Sequence, residues 1–313
     1  MKKKKPFGET LKEQLLAGAR DRFHNFMLAD GMVRGVIMNG TRMVNEMRAN
    51  HNLGILETLV LGRGYLGVGL MAASLKGSDR ISIKIECSGP IKGLTAESNA
   101  FGEVRGFLNN NSIPMEKPME DFDLSPFFGA GFLSVTRHLQ DAKQPFTGRV
   151  ILKYGNIAKD LAYYYLTSEQ IPTAFNLGIK YDRDGNVIGA GGLLLQAMPD
   201  AEESIIEDLE NRVTNLPSLG VLFSDNHDSK DIVRTEFANH GPKFLAERRI
   251  EFMCHCNQER LKNLITLLPI DELKDIRENG PFPLEIRCQF CNTPYLFGEE
   301  DIQKIYGKRF PDN

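Results

Sequence analysis

A chain of 313 residues can hold one domain of ordinary size and a second small one. With 42% apolar and 25% charged residues it has the make-up of a globular protein, and a net charge of -3 gives it no general attraction to nucleic acid. Cysteine is sparse, five in all, too few for a chain stapled throughout by disulfides.

Lys2 to Lys5 make a short basic tip before Pro6. No apolar stretch follows that would turn it into a secretion signal, so it reads as a solvated terminus and the protein is expected in the cytoplasm. Residues 21–44 alternate around Gly31, Gly35 and Gly40, with Val33, Val36 and Ile37 suggesting the first strand of a core sheet. The most apolar segment, residues 53–75, contains Gly62-Arg63-Gly64-Tyr65-Leu66-Gly67, the letters of a dinucleotide fingerprint. A true fingerprint follows a buried strand and opens a helix. Here Leu56, Leu59, Val60, Leu66, Leu70 and Met71 surround the glycines at helical spacing, which predicts a buried helix whose glycines permit close packing. Glu57 and Arg63 argue against a membrane span, since a central Arg costs about 2.5 to 3.5 kcal/mol on insertion scales.

Residues 80–86 alternate cleanly, with Ile81, Ile83, Ile85 and Cys87 on one face of a half-buried strand and Cys87 a core residue. Further strands are expected over 91–96, 102–108, 132–137 and 148–152, with a Pro- and Asp-rich loop at 114–126. Asn156 is placed to cap a helix over 157–170, which Pro172 ends; a hairpin follows over 174–181 and 187–198. The sum is an α+β core, mostly antiparallel, over residues 1–199.

Between 200 and 248 the character changes to an acidic amphipathic linker. Residues 200–231 hold nine Asp or Glu against two basic residues, Arg212 and Lys230. An apolar stripe nevertheless recurs at helical spacing through Ile205, Ile206, Leu209, Val213 and Leu216. Such a segment draws its helical stability from whatever the stripe packs on, so it is marginal when undocked.

Residues 249–313 form a module of thin core, with short helices expected after Asn257, up to Gly280, and around Ile302 and Ile305. It carries four of the five cysteines as Cys254-His255-Cys256 and Cys288-Gln289-Phe290-Cys291. Cys-x-Cys on an extended segment turns both sulfurs to one side, and Cys-x-x-Cys in a turn points both into one concavity. Four thiolates facing one ion suit tetrahedral zinc. A disulfide framework fits poorly with the lack of a secretion signal, and a thioredoxin-type pair leaves Cys-x-Cys unexplained; an iron–sulfur cluster takes four cysteines as well. His255 is not needed as a ligand once four sulfurs complete the tetrahedron.

The run from Phe252 to Arg260, with Cys288-Gln289-Phe290-Cys291 and then Tyr295-Leu296-Phe297 and Asp301-Ile302, resembles the redox-switch domain of the heat shock protein 33 family of bacterial holdase chaperones. The resemblance extends to Met27 through Val33-Arg34-Gly35 and the sheet region after it. It implies a redox-regulated, ATP-independent chaperone rather than an enzyme, with one zinc ion on Cys254, Cys256, Cys288 and Cys291 in the reduced form. It further implies disulfides Cys254–Cys256 and Cys288–Cys291 on oxidation, loss of zinc, unfolding of the module and linker, and homodimerisation of the activated form. In that setting the stripe from Ile205 to Leu216 undocks and becomes a surface for unfolded client proteins.

Other function classes meet obstacles. A nucleic-acid-binding zinc module wants a basic face, but residues 250–313 hold eight Lys or Arg against eleven Asp or Glu. A metal-dependent enzyme wants an open coordination position, which four cysteines close. The rival that survives is a zinc-ribbon-like binding protein whose metal is purely structural.

Overall fold

The computed structural model of the chain describes residues 1–4, 10, 21–114 and 123–309. Its contacts divide it into two compact units, Lys4–Phe252 and Met253–Asn313 together with Met1–Lys3.

In the larger unit, residues 21–44 form more than the one strand expected. β1 (Arg22–Leu28) and β2 (Val33–Asn39) pair antiparallel across a turn in which Ala29 and Asp30 take positive φ of 48° and 49°. Helix α1 (Thr41–His51) then begins, and the carboxylate of Asp21 caps it by accepting from Arg42 N at 3.1 Å and Met43 N at 2.7 Å. Helix α2 (Ile55–Met71) is buried nearly all round. The glycine fingerprint lies in its middle, where a Cβ on Gly62 would sit 2.6 Å from Ile179 Cδ1 and one on Gly67 2.7 Å from Leu161 Cδ1. The glycines let neighbouring elements touch the helix and cradle no phosphate. By length and composition α2 could cross a membrane, but 89% of that apolar window is buried inside the protein. Two of its polar groups are met internally: Tyr65 donates to Gly106 O at 3.0 Å, and Glu57 accepts from Ile113 N at 2.8 Å.

The strands that follow are β3 (Arg80–Cys87), β4 (Gly93–Asn99) and β5 (Glu103–Leu108). After the short helix α3 (Ser125–Phe128) come β6 (Gly131–His138) and β7 (Phe146–Ile151). The loop expected at 114–126 falls largely outside the described residues. Helix α4 (Ile157–Tyr164), capped by Asn156, ends in a π turn before the hairpin of β8 (Thr173–Tyr181) and β9 (Val187–Ala197). Cys87 departs from expectation: Ile81, Ile83 and Ile85 are buried, but Cys87 at the strand's end is only half-buried.

The linker forms α5 (Glu203–Asn215), α6 (Leu219–Ser224) and α7 (Ser229–Glu236). Its last residues differ from a helical linker, because β10 (Lys243–Arg249) is a strand that pairs with β1. The edge of β1 offers unpaired backbone groups, and Phe244 stacks 6.0 Å from Phe26 while the Arg248 guanidinium lies 5.6 Å over Phe23. β11 (Glu251–Phe252) adds to β5 in parallel, against the antiparallel pairing elsewhere. Two sheets result, ordered β10-β1-β2-β9-β8 and β11-β5-β4-β3-β6-β7.

The linker is docked. Phe26, Leu28, Val33, Ile37, Leu193 and Leu195 on one face of the five-stranded sheet share a core with Leu209, Val213 and Leu216, and with Leu219, Phe223, Ile232, Val233 and Phe237. The stripe read from the sequence therefore faces the sheet, with Leu209, Val213 and Leu216 buried and Ile205 and Ile206 half-buried at its start.

Candidate metal centre

The smaller unit is built from α8 (Gln258–Thr266), α9 (Ile270–Asn279), the hairpin of β12 (Leu284–Arg287) and β13 (Pro294–Phe297), and α10 (Glu299–Arg309). Asn257 caps α8 by accepting from Arg260 N at 2.9 Å, and Gly280 ends α9 at a φ of 75°. The sequence pattern reveals the three helices and misses the hairpin, whose strands are too short to show alternation. Among the described residues the apolar core comprises six buried ones: Leu261, Ile265, Leu273, Phe297, Ile302 and Ile305.

All four cysteines of the two motifs are buried, and their sulfurs lie within 4.8 Å of one another. Cys254 and Cys256 sit on the extended segment before α8. Cys288 and Cys291 occupy the β12–β13 turn, where Cys291 N and Asn292 N both donate to Cys288 O, at 3.3 and 2.6 Å, and Asn292 takes a φ of 53°. Close approaches run between the motifs: Cys254 Sγ is 3.8 Å from Cys288 Sγ and Cys256 Sγ is 3.3 Å from Cys291 Sγ. A tetrahedron with zinc–sulfur bonds of about 2.3 Å has edges of about 3.8 Å, so these separations suit a tetrahedral ion.

Crowded thiols resist ionising together. A hydrogen bond with Cys254, together with burial, pushes the Cys288 thiol up to about 11, and Cys291 is driven up further, first by Cys254 and then by Cys288. A bound cation would favour the thiolate form of both and offset this. The donor set, four soft sulfurs and no carboxylate, fits zinc, and full ligation leaves no place for a reactive water.

Around the sulfurs lie partners that sequence reasoning passed over. Thr293, buried, accepts from Cys291 Sγ at 3.2 Å, and Tyr295 donates to Cys256 O at 3.0 Å with its hydroxyl 3.2 Å from Cys256 Sγ. Burial and that sulfur raise the Tyr295 phenol well above its ordinary value. Such contacts orient the sulfurs that would hold an ion. The N-terminal tip was expected to be solvated, yet Met1 donates its ammonium to Cys256 O at 3.0 Å and Lys2 N donates to Thr293 Oγ1 at 3.4 Å. Nothing local in the sequence signals a contact spanning the chain. His255 is exposed between its two cysteines, and Arg287 beside Cys288 pairs with Glu285 at 2.7 Å.

Comparisons with known proteins agree with this geometry. A family model described as Hsp33 protein matches residues 21–298. A 33 kDa chaperonin of Desulforamulus reducens is 38% identical over 279 residues, 88% of this chain and 94% of the relative. That of Thermotoga maritima is 37% identical over 290 residues, 91% of this chain and 97% of the relative. The crystal structure of the Thermotoga maritima heat shock protein 33 homologue superposes with a TM-score of 0.85 at 34% identity, covering 94% of this chain and all of that one. An α+β fold of this topology, a buried four-cysteine cluster and identities of this size over nearly the whole chain place it: the protein belongs to the Hsp33 family of 33 kDa chaperonins.

Proposed function

We propose that this protein is an ATP-independent holdase chaperone, switched on when its four-cysteine centre is oxidised. The observation that carries this reading is four buried sulfurs within 4.8 Å of one another in a module with few other buried side chains. Zinc held by Cys254, Cys256, Cys288 and Cys291 in the reduced form supplies folding energy that the thin core lacks, on the order of 10 kcal/mol or more.

Oxidation withdraws it. Each disulfide formed takes two electrons from a pair of thiolates, and hydrogen peroxide accepts them together with two protons from solvent as it becomes two waters. A disulfide sulfur is no longer an anionic ligand, so the module loses both its metal and its fold. The family resemblance gives the pairs as Cys254–Cys256 and Cys288–Cys291. Sulfurs of different motifs also lie close, Cys254 to Cys288 at 3.8 Å and Cys256 to Cys291 at 3.3 Å, so peptide mapping of the oxidised protein decides the pairing.

Unfolding passes along the chain through β11 and β10 to the linker. Ile205, Ile206, Leu209, Val213 and Leu216, with the sheet face beneath them, then become apolar surface for unfolded or partly unfolded clients. The linker's acidic residues keep the open form dispersed. The activated form is a homodimer in the cytoplasm, and neither nucleic acid nor membrane is a partner. The protein catalyses no reaction.

Light scattering of a heat-denatured client, read alongside zinc release to a chromophoric chelator, tests this. Oxidised protein should suppress aggregation as zinc appears, and reduced protein should do neither. Equal behaviour of both forms would leave the metal a purely structural role, as in a zinc-ribbon-like binding protein.

A further inference from the structure

The linker does not rest evenly on its sheet. Along α5 only Leu209 and Val213 are fully buried, and they meet the sheet through side chains. Under α6 the sheet changes character. Gly178 on β8 pairs with Gly191 on β9, and Gly189 follows two residues from Gly191 on the same face. With no side chains between them, helix backbone lies on hairpin backbone. A Cβ on Gly178 would stand 2.5 Å from Ser218 Oγ and 2.6 Å from Gly220 N, and one on Gly189 would stand 2.6 Å from Ser224 N. From the helix side, a Cβ on Gly220 would stand 2.7 Å from Lys180 N and 2.8 Å from Ile179 N. Most of these obstacles are main chain, which cannot rotate aside. Phe223 completes the fit, with its ring lying against Gly191 and almost wholly buried.

We propose that this glycine seat is the latch of the linker: α6, rather than the acidic α5, sets how firmly the sheet face stays covered. The consequence for client binding rests on the function proposed above, but the latch itself is readable without it. Glycine inside a helix is ordinarily the worse choice than alanine, because it leaves the unfolded chain more freedom. At Gly220 the seat reverses that sign.

The test is amide exchange on the reduced, zinc-loaded full chain carrying Gly220→Ala, with Gly307→Ala as control. Gly307 lies in α10 with nothing within 4 Å of its would-be Cβ, so alanine there should slow exchange or leave it unchanged. Gly220→Ala should speed exchange across residues 203–237 by about tenfold or more while β3 to β6 and the cysteine module keep their protection. Slower exchange over residues 219–224, the ordinary helical gain, would overturn the latch. Phe223→Ala vacates the seat by deletion rather than collision, and keeps the question answerable if Gly220→Ala yields no soluble protein. It too should open the linker, and unchanged exchange would overturn the proposal. Client scattering on the same samples separates the two readings. An open linker with no suppression of aggregation leaves the latch standing and removes the holdase reading, whereas a closed linker removes the latch alone.

Discussion

Phe26, Ile37 and Leu193 sit in a sheet face that joins the linker in a core of fourteen buried residues, whereas the cysteine module has a cluster of six buried apolar residues besides its four cysteines. One region is held by many small contributions spread over strands and helices. The other converges on a point. A distributed core loses stability gradually as single groups are changed, whereas a module organised by one ion, as proposed, would be folded or not according to that ion. On that proposal, a chemical signal that acts on sulfur would unfold the second without first weakening the first.

Removing the metal should break the comparison open most widely. Stripping zinc with a chelator under reducing conditions should unfold residues 253–313, because structural zinc contributes on the order of 10 kcal/mol or more, while most strands of both sheets stay protected. Amide exchange with and without the chelator checks this, and protection of α8 to α10 in metal-free protein would refute it. Next in size is truncation of a residue in the distributed core. Leu193→Ala, at a residue 1% exposed, should cost about 2 to 5 kcal/mol in urea unfolding with the zinc affinity unchanged.

The legible and illegible parts of the chain divide by the same physical rule. Helix α2, strand β3, helix α4 with its Asn156 cap and the β8–β9 hairpin announce themselves because their signals are local in sequence. So do the cysteines, whose spacing within each motif states their geometry before any fold is known. The capping of α1 by Asp21, the pairing of β10 with β1 and the seating of α6 on three glycines depend on partners far away along the chain. Gly189 and Gly191 are read in the sequence only as part of the 187–198 strand, and it is the helix lying on them that gives them a purpose. Met1 against Cys256 belongs to the same class.

pH should move the two regions in opposite directions. Burial pushes the Asp21 carboxyl from its ordinary 3.8 up to about 7, with Glu46 adding to the effect and the two backbone donors of α1 opposing it. Folding therefore favours the protonated form. The stability this contributes is complete below about 4 and is lost as pH rises to about 7. In the cysteine module protons compete with the ion for sulfur, so acidification weakens it. Urea titrations at a series of pH values, following α1 in one arm and zinc release in the other, should show opposed slopes. Asp21→Asn should flatten the first slope and leave the second. Equal slopes in the variant and the parent would remove Asp21 from the account.

The smallest effect gives the sharpest comparison, because the same chemical change can be made once in each region. Asn156 Oδ1 accepts from Lys159 N at 3.2 Å at the start of α4, and Asn257 Oδ1 accepts from Arg260 N at 2.9 Å at the start of α8. Replacing either by alanine removes one cap, worth about 1 kcal/mol. In the core that loss is one among many and should appear only as a slightly lower urea midpoint. If folding and metal binding are one equilibrium in the module, as proposed, it must appear in the binding constant: Asn257→Ala should weaken zinc binding about fivefold and Asn156→Ala should leave it unchanged. Competition with a chelator of known affinity resolves that difference. If Asn257→Ala lowered stability without touching zinc affinity, the module would have a folded state that does not need its ion, and oxidation of the sulfurs could no longer unfold it.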